Sequence, residues 1–296
     1  MPDSSAPWTI QRLLEWTASF FLRKGIDSPR LCAELLLAHV LNVPRIKLYT
    51  NYQRVVSPKD LAAYRRLVAR AAEDEPIAHL TGRAHFFNLE FEVTRDVLIP
   101  RPDTETLVEN VIQLVRHQSG LESPRVLDLC TGSGCIAAAI AFHVRGAVVV
   151  ATELKPAAVA VAQRNVQRLD LSQRVLVQQG HLFDAIPAVD RQPFDLIVAN
   201  PPYIPTAQIP ALDRSVRDYE PVEALDGGLD GLSMHRRILS QAPQWLVVGG
   251  HIFLEIAFDQ GPLALEIAAE HPRLAEARIL ADHAGRDRVL TAKRIS

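Results

Sequence analysis

The sequence is poor in aromatic residues, in cysteine and in net charge. Aromatic side chains make up 6% of the 296 residues, and the three cysteines, Cys32, Cys130 and Cys135, have neither CxxC nor Cys/His spacing. This pattern argues against a disulfide framework and against a zinc site, so we expect small buried thiols and no metal. Lys and Arg total 32 against 34 Asp and Glu, which excludes a strongly basic nucleic-acid binder at the level of overall charge.

Long apolar runs are also missing. The first residues, MPDSSAPWTI, have neither the basic stretch nor the apolar core of a signal peptide, and the run LCAELLLAHVL is interrupted by Glu34. We therefore expect a cytoplasmic protein that does not contact a membrane. With 48% hydrophobic and 22% charged residues over 296 positions, the chain has a globular composition and the length of two domains.

The first part of the chain has helical patterning. The segment IQRLLEWTASFFLRKG ends at Gly25, a second segment begins after Ser28 and Pro29, and a third begins in the same way at Ser57 and Pro58. A Ser cap followed by Pro in the first turn is a typical helix start. Residues 1–82 are therefore predicted to form a small helical domain.

A different pattern joins this domain to the rest. Between residues 85 and 99 the apolar period changes to two in FFNLEFEV and VLIP, which predicts a short hairpin. Asp103 is then predicted to cap a helix, TETLVENVIQLVRHQ, which ends before the linker SGLESP. Residues 83–124 are thus read as a hairpin and linker helix.

Residues 125–296 alternate between strand-length apolar runs and helical stretches. This rhythm predicts an α/β fold of Rossmann-like type, in which a mostly parallel sheet is covered by helices on both faces. The last segments, ARILAD and DRVLTAKR, are close enough to pair as antiparallel strands. In open sheets of this kind, ligands bind beyond the carboxyl ends of the strands.

A glycine loop follows the first strand of this domain. The strand RVLDL leads into Cys130, Thr131, Gly132, Ser133 and Gly134. Glycines let the backbone turn sharply and approach a ligand, although a plain turn between strand and helix is the alternative. The loop is therefore a candidate cofactor site.

Acidic residues flank this loop. Asp128 is expected to hold the loop or to meet an ammonium group of the cofactor, unless it is only a turn acid. Glu153 ends the second strand about 20 residues after the loop, where a carboxylate can accept hydrogen bonds from ribose hydroxyls. The loop GSGCIA lacks the third glycine of a dinucleotide fingerprint, which favours S-adenosylmethionine over a nicotinamide cofactor.

A second candidate site follows the strand FDLIVA. It consists of Asn200, Pro201, Pro202 and Tyr203. The two prolines restrict the backbone, so the Asn200 side chain and the neighbouring carbonyls are held as rigid acceptors. The Asn200 Oδ1 atom and the Pro201 carbonyl can grip the two N–H bonds of an amide or a conjugated amine, while Tyr203 stacks on the flat group.

Together, DLCTGSG, the acid Glu153 and NPPY resemble S-adenosylmethionine-dependent methyltransferases that modify amide or exocyclic amino nitrogens. The segments PIAHLTGRAHFFNLEFEVTRDVLIPRPDTETLVE, EPVEALDGGLDGLSMHRRIL and AGRDRVL resemble more narrowly the HemK/PrmC family of peptide chain release factor glutamine methyltransferases. The resemblance covers nearly the whole chain, and IPRPDTE is its most specific part.

The resemblance implies methylation of the side-chain amide of the glutamine in the GGQ motif of class I release factors, with S-adenosylhomocysteine as the other product. It implies that the loop from Cys130 to Gly134 and Glu153 hold the cofactor, that Leu182 lies near the adenine, and that residues 200–203 hold the glutamine. Residues 1–82 would recognise the substrate. The interdomain positions Arg101, Pro102, Asp103 and Glu105 would shape the cofactor cleft, unless Asp103 is only a cap and Arg101 only a surface charge.

The chain departs from this family at two positions. Cys130 stands where the family usually has Gly, and we expect little effect because a Cβ requires only a negative φ. His181 stands where the family usually has Asp, beside the adenine. A neutral imidazole accepts through one nitrogen and loses that capacity when it is protonated. We therefore expect weaker and more pH-sensitive cofactor binding.

Three other functions remain open from the sequence. The same NPPY loop would serve a glutamine methyltransferase acting on a large-subunit ribosomal protein, although IPRPDTE favours the release factor. It would also serve a nucleic-acid adenine N6-methyltransferase acting on a flipped base, but the acidic balance and the absence of a target-reading domain argue against stable nucleic-acid binding. A cofactor-binding module without activity would rest only on Cys130 and His181.

Overall fold

The computed structural model describes residues 7–186 and 191–296. The first six residues, on which the expected absence of a signal peptide partly rests, lie outside the described residues. The chain divides into two compact units, Met1–Arg83 and Ala84–Ser296. Within the described residues, no helix has both the length and the apolar character that crossing a membrane requires.

The first unit is helical, as its sequence pattern predicts. Its helices are α1 (Ile10–Arg23), α2 (Pro29–Leu41), α3 (Ile46–Thr50), α4 (Pro58–Ala71) and α5 (Ile77–Thr81). Apolar side chains three and four positions apart fall on one helical face, and residues such as Leu14, Phe21 and Leu37 are fully buried in one core. The buried Tyr64 donates its hydroxyl to the Ala33 carbonyl at 3.2 Å, which joins α4 to α2. The short helices α3 and α5 are not predicted from the sequence.

The two predicted serine caps in this unit have different outcomes. Ser57 is a true cap, because its hydroxyl accepts from the Asp60 amide at 3.1 Å. Ser28 makes no side-chain cap hydrogen bond and has a φ of 47°, so the predicted cap is wrong. A residue before proline avoids the right-handed helical region, and Ser28 takes the left-handed region, where its hydroxyl does not reach the first-turn amides.

The hairpin that opens the second unit consists of β1 (Arg83–Phe86) and β2 (Leu89–Glu92). Its tight turn is formed by Phe87 and Asn88, with φ values of 48° and 62°. The run VLIP does not form a strand. Pro100 ends it, and strand pairing is not available to a proline nitrogen.

The predicted cap at Asp103 is also wrong. Asp103 lies inside a short 3-10 turn, Pro102–Thr104, and helix α6 (Glu105–His117) begins after that turn. The Asp103 carboxylate forms an ion pair with Arg288 at 3.0 Å. Because Arg288 is 7% exposed in its side chain, this partly buried ion pair displaces the local capping role.

The rest of the second unit is a helix-covered sheet, as predicted. The described residues form a seven-stranded sheet in the order β5-β4-β3-β6-β7-β9-β8. Its strands are β3 (Arg125–Leu129), β4 (Val148–Glu153), β5 (Val175–Gln179), β6 (Phe194–Ala199), β7 (Leu246–Glu255), β8 (Leu274–Ala281) and β9 (Asp287–Arg294). The strands β3 to β7 pair in parallel, and β9 pairs antiparallel with both β7 and β8. The predicted antiparallel tail is therefore confirmed, and its last strand inserts between β7 and β8.

Helices pack on both faces of this sheet. They are α6, α7 (Cys135–His143), α8 (Pro156–Arg168), α10 (Ser233–Trp245) and α11 (Gly261–Ala269), whereas the short helix α9 (Arg214–Arg217) has no buried residue. One core contains α6, α7 and α8 side chains with one sheet face, and the other contains α10 and α11 side chains with the opposite face. Neither α9 nor α11 is predicted from the sequence.

The order of the strands determines where on the sheet the candidate site lies. From β3 the chain moves outward to β4 and β5, then returns to place β6 on the other side of β3. This reversal creates a crevice at the carboxyl ends of β3 and β6, where ligands bind in open α/β sheets. The glycine loop follows β3 and the NPPY loop follows β6, so both lie at this point.

Candidate active site

The strand register brings the predicted site residues together. Leu129, the last residue of β3, is opposite Thr152 of β4 and Ala199 of β6. The segments that follow these three residues therefore leave the sheet at one edge. They line a cavity of about 1000 Å³, counted with its open mouth.

Asp128 holds the glycine loop from beneath. Its Oδ2 atom accepts from the Thr131 hydroxyl at 2.5 Å and from the Ala137 amide at 3.1 Å, while Oδ1 has no protein partner. Asp128 is completely buried and is not among the described residues that line the cavity. Burial raises the pKa of this carboxyl to about 7, despite its hydrogen bonds. Of the two roles expected for Asp128, the geometry supports the first, which is holding the loop.

Cys130 begins the loop in an unexpected conformation. Its φ is 58°, so the expectation that this position needs only a negative φ is wrong. A side chain in the left-handed region brings Cβ close to the following carbonyl. The glycine that the resembling family usually has here would adopt this conformation without strain. Burial raises the pKa of the Cys130 thiol, so it remains protonated.

The two glycines of the loop also have positive φ values, 55° at Gly132 and 79° at Gly134. A Cβ on Gly134 would lie 3.2 Å from the Ala162 Cβ atom on α8, which is tighter than ordinary contact. The loop conformation and the close packing of α8 therefore both require glycine at this position.

Glu153 connects the loop to β4. Its Oε2 atom accepts from the Gly132 amide at 3.0 Å, and its Oε1 atom accepts from the Lys155 amide at 3.0 Å. The carboxylate thus holds the amide of Gly132 within the loop. Since Glu153 also lines the cavity and each oxygen keeps a second lone pair, its geometry is compatible with the predicted contact to hydroxyl groups.

His181 and Leu182 line the cavity beyond β5, next to Thr152. The Nδ1 atom of His181 and the Oγ1 atom of Thr152 are buried without a protein partner. Burial lowers the pKa of His181 below its ordinary value, assisted by Arg237 and opposed by Asp184. The imidazole is therefore neutral at pH 7 and offers one acceptor nitrogen, as expected for this departure from the family.

Asn200 and Pro202 line the same cavity from the NPPY loop. The Asn200 Nδ2 atom donates to the Thr104 hydroxyl at 3.1 Å. This hydrogen bond uses the donor side of the amide and leaves the Oδ1 atom as the acceptor for a ligand. The rigid acceptor that the sequence analysis expected at Asn200 thus has a geometric basis.

Pro201 and Tyr203 are not among the described residues that line this cavity. The Tyr203 hydroxyl donates to Glu255 Oε1 at 3.3 Å, and the Tyr203 carbonyl accepts from the Gln260 side chain at 2.8 Å. Burial raises the pKa of Tyr203 above its ordinary value. Tyr203 is anchored on the far side of the loop, so the stacking role stays a prediction.

The IPRPDTE segment connects several elements. Arg101 lines the cavity and forms an ion pair with the buried Glu220, which also accepts from the Ile99 amide at 3.2 Å. Burial raises the pKa of Glu220, and Arg101 opposes this shift. Glu105 accepts from the Phe87 amide at 2.7 Å. Arg101 is therefore more than a surface charge.

Three polar residues of this region, Thr104, Glu220 and Glu255, were not predicted from the sequence. Glu255 ends β7 at the same sheet edge and is completely buried. An acid that ends a strand is the same signal that identified Glu153, so this residue was detectable. Thr104 and Glu220 carry no local signal, because their partners are distant in sequence.

Comparison with known proteins places the chain in a family. Residues 12–82 match the model of the PrmC N-terminal domain, and residues 104–212 match that of the methyltransferase small domain. A methyltransferase from Pyrococcus furiosus has the same fold, with a TM-score of 0.50 and 20% identity over 76% of this chain and 96% of that one.

Curated relatives are closer in sequence. The release factor glutamine methyltransferase of Geobacter sulfurreducens is 44% identical, over 90% of this chain and 90% of its own. The protein of the same name from Rhodopirellula baltica is 39% identical, over 99% of this chain and 98% of its own. The resemblance seen in the sequence is confirmed, and this chain is an enzyme of the release factor glutamine methyltransferase family.

Proposed function

We propose that this enzyme methylates the side-chain amide nitrogen of the glutamine in the GGQ motif of class I peptide chain release factors. S-adenosylmethionine is the proposed methyl donor, and S-adenosylhomocysteine is the other product. The observation that carries the proposal is the orientation of Asn200, whose amide oxygen is left as an acceptor beside the cavity that Glu153 and the glycine loop also line. This function places the enzyme in the cytoplasm with its substrate.

The residues of the cavity fit such a cofactor. Glu153 keeps acceptor capacity for ribose hydroxyls, while His181 and Thr152 present buried polar atoms without protein partners. Buried polar atoms normally have hydrogen-bond partners, so these atoms indicate a polar ligand. We propose that Cys130 to Gly134, Glu153, His181 and Leu182 hold the cofactor and that Asp128 supports them. The bound cofactor would supply an electrophilic methyl group on a sulfonium sulfur.

The proposed contribution of the protein's own residues to the reaction is to orient the glutamine amide. An amide nitrogen is a weak nucleophile because its lone pair is delocalised. We propose that Asn200 Oδ1 and the Pro201 carbonyl each accept one N–H of the glutamine, which fixes the direction of the nitrogen lone pair. Pro202 and Tyr203 would bound the flat amide, and the surplus proton would leave to water or to a nearby carbonyl.

The helical unit has a separate proposed role. Residues 12–82 match the model of the PrmC N-terminal domain, and none of the described residues that line the cavity comes from this unit. We propose that the unit contributes recognition of the release factor outside the GGQ loop. Contacts over a larger surface would add affinity without altering the reacting groups.

Peptide mass spectrometry tests the proposal. An unmethylated class I release factor is incubated with the enzyme and S-adenosylmethionine, and the fragment containing the GGQ glutamine is analysed. We expect one added methyl group on that glutamine. Asn200→Ala should reduce turnover by about 10²–10³-fold while retaining cofactor binding, and Asn110→Ala, which alters a residue outside the cavity, should leave turnover unchanged.

An unmodified glutamine would overturn the proposed substrate, provided that isothermal titration calorimetry shows bound cofactor. The same incubation with ribosomes and with nucleic acid would then identify which acceptor is used. Equal loss of cofactor affinity in Asn200→Ala and Glu153→Ala would contradict the division of roles between the two loops.

A further inference from the structure

A buried hydrogen-bond chain lies behind the Asn200 amide. Asn200 donates its Nδ2 hydrogen to the Thr104 hydroxyl at 3.1 Å. The Thr104 hydroxyl in turn lies near the Glu255 carboxyl and lowers its pKa, while the buried Glu255 Oε2 atom keeps a free acceptor site. Tyr203, on the same loop as Asn200, donates to Glu255 Oε1 at 3.3 Å. Both ends of the NPPY loop therefore connect to one buried carboxyl group.

The donor and acceptor capacities of these groups fix which atom donates in each hydrogen bond of this network. An ionised carboxylate accepts hydrogen bonds and donates none. The hydroxyls of Thr104 and Tyr203 must therefore donate to Glu255, and the Thr104 oxygen is left to accept from a donor. That donor is the Nδ2 group of Asn200, so the Asn200 Oδ1 atom must point away from Thr104. Reversing the Asn200 amide would place two acceptor oxygens against each other.

We propose that Thr104, with the carboxylate of Glu255 behind it, is the positioning residue that selects the productive orientation of the Asn200 amide. The inference rests on the proposed function, in which Asn200 Oδ1 accepts a hydrogen bond from the substrate amide. Thr104 is 2% exposed and Glu255 is completely buried, so both groups are largely withdrawn from solvent. The residues of this hydrogen-bond network belong to three segments far apart in sequence, which explains why no local motif reveals it.

When Glu255 is protonated, the donors and acceptors of this hydrogen-bond network are no longer fixed. A protonated carboxyl can donate to Thr104, and the Thr104 hydroxyl can then donate to an Asn200 oxygen. Burial raises the pKa of Glu255 to about 7, while Thr104, Arg288 and Tyr203 oppose the shift and Asp103 adds to it. Two other titratable groups lie near this residue, the thiol of Cys135, whose own pKa Glu255 raises, and His235, which bonds the Glu255 backbone carbonyl.

The titration of these neighbours does not overlap with that of Glu255. Burial raises the pKa of Cys135 to about 12 and lowers the pKa of His235 to about 4. Both groups are neutral between pH 6 and pH 8. We therefore expect turnover to rise with pH through about 7, because ionised Glu255 fixes the donors and acceptors that orient the Asn200 amide.

Steady-state methylation kinetics of three variants test the inference. Thr104→Val keeps the shape of the side chain but removes the hydroxyl, and it should lower kcat by about tenfold to a hundredfold with little change in either KM. Thr104→Ser restores the hydroxyl and should recover most of kcat. Thr106→Val alters a second buried threonine, in the first turn of α6; it is the matched control and should leave kcat unchanged.

Two further measurements separate positioning from packing. In an Asn200→Ala background, Thr104→Val should have no additional effect on kcat, because the group that it orients is absent. Glu255→Gln should lower kcat and weaken its dependence on pH between about 6 and 8, since an amide does not titrate in this range and Asp128, whose pKa burial raises to about 7, still does.

Each outcome decides between explanations. If wild type does not methylate the GGQ glutamine, the proposed function fails and the positioning role fails with it. If wild type is active and Thr104→Val matches it in kcat, the positioning role alone is overturned. Equal losses in Thr104→Val, Thr104→Ser and Thr106→Val would assign Thr104 a purely structural role, and so would independent effects in the double variant.

Discussion

Replacing Asp128 with Asn should change how the stability of the second unit depends on pH. Asp128 is completely buried, with two hydrogen bonds to Oδ2 and none to Oδ1. Desolvation of the charged form outweighs these hydrogen bonds and raises the pKa from 3.8 to about 7. Between these values the native state holds a proton that the unfolded chain has released. Native stability from this group is therefore gained as pH falls through 7 and lost as pH rises through it.

The magnitude follows from the two pKa values. From about pH 8 to about pH 6, protonation of Asp128 in the native state alone should add about 1.4 kcal/mol to the free energy of unfolding. Asn has nearly the same shape, can accept from the Ala137 amide and does not titrate. The wild type should therefore gain about 1.4 kcal/mol relative to Asp128→Asn over this interval, and the difference cancels contributions from histidines common to both proteins.

Urea unfolding with a local reporter measures this difference. Trp8 and Trp16 lie in the first unit, whereas Trp245 lies in the second and stacks on Phe183 with ring centroids 5.7 Å apart. In a background with Trp8→Phe and Trp16→Phe, Trp245 fluorescence reports unfolding of the second unit. Parallel pH profiles for this background with and without Asp128→Asn would refute the reasoning. A protein with Asp128 that loses stability relative to the variant on acidification would show that hydrogen bonding outweighs burial.

Three other substitutions test the cavity, with thermal unfolding and calorimetric cofactor titration as the measurements. Cys130→Gly should change stability by less than about 1 kcal/mol, because relief of the left-handed strain is offset by greater unfolded-state entropy, whereas Cys130→Val should destabilise by about 1–3 kcal/mol; equal effects would refute the strain. Glu153→Ala should weaken S-adenosylmethionine binding by roughly 2–4 kcal/mol and leave the binding of adenine unaffected; unchanged cofactor affinity would contradict its role. His181→Asp should strengthen cofactor binding most at about pH 6 and below, because the lowered His181 pKa moves loss of the acceptor to more acid conditions; a difference from wild type that stays constant from about pH 5 to about pH 8 would be evidence against imidazole protonation.

Local sequence determined the parts of the fold that depend on neighbouring residues. Helical spacing predicts α1, α2 and α4, and the alternation of apolar runs predicts the parallel sheet and its antiparallel tail. Pattern alone did not predict α11, whose nine residues are mostly apolar and show no distinct polar face. Its solvent side is itself largely apolar, with Leu263 exposed, so the contrast between polar and apolar faces that reveals a surface helix is weak.

Within the site, the sequence identified the residues that follow strand ends. The glycine loop, Glu153 and Asn200 were predicted from motif and spacing, and the sheet register brings them to one edge. The conformation of Cys130 was not predictable, because its positive φ results from the loop geometry around Asp128 and not from its own preference.

Only the tertiary structure decided which charges and hydroxyls act together. Asp103 reads locally as a helix cap, yet its carboxylate pairs with Arg288, 185 positions later. Thr104 reads as a helix-start residue, yet it bonds Asn200 and reaches Glu255. These contacts join groups that are buried only after the sheet has formed, where an unpaired polar group is costly. Sequence therefore specifies which groups can react, while burial in the folded sheet determines how they are oriented.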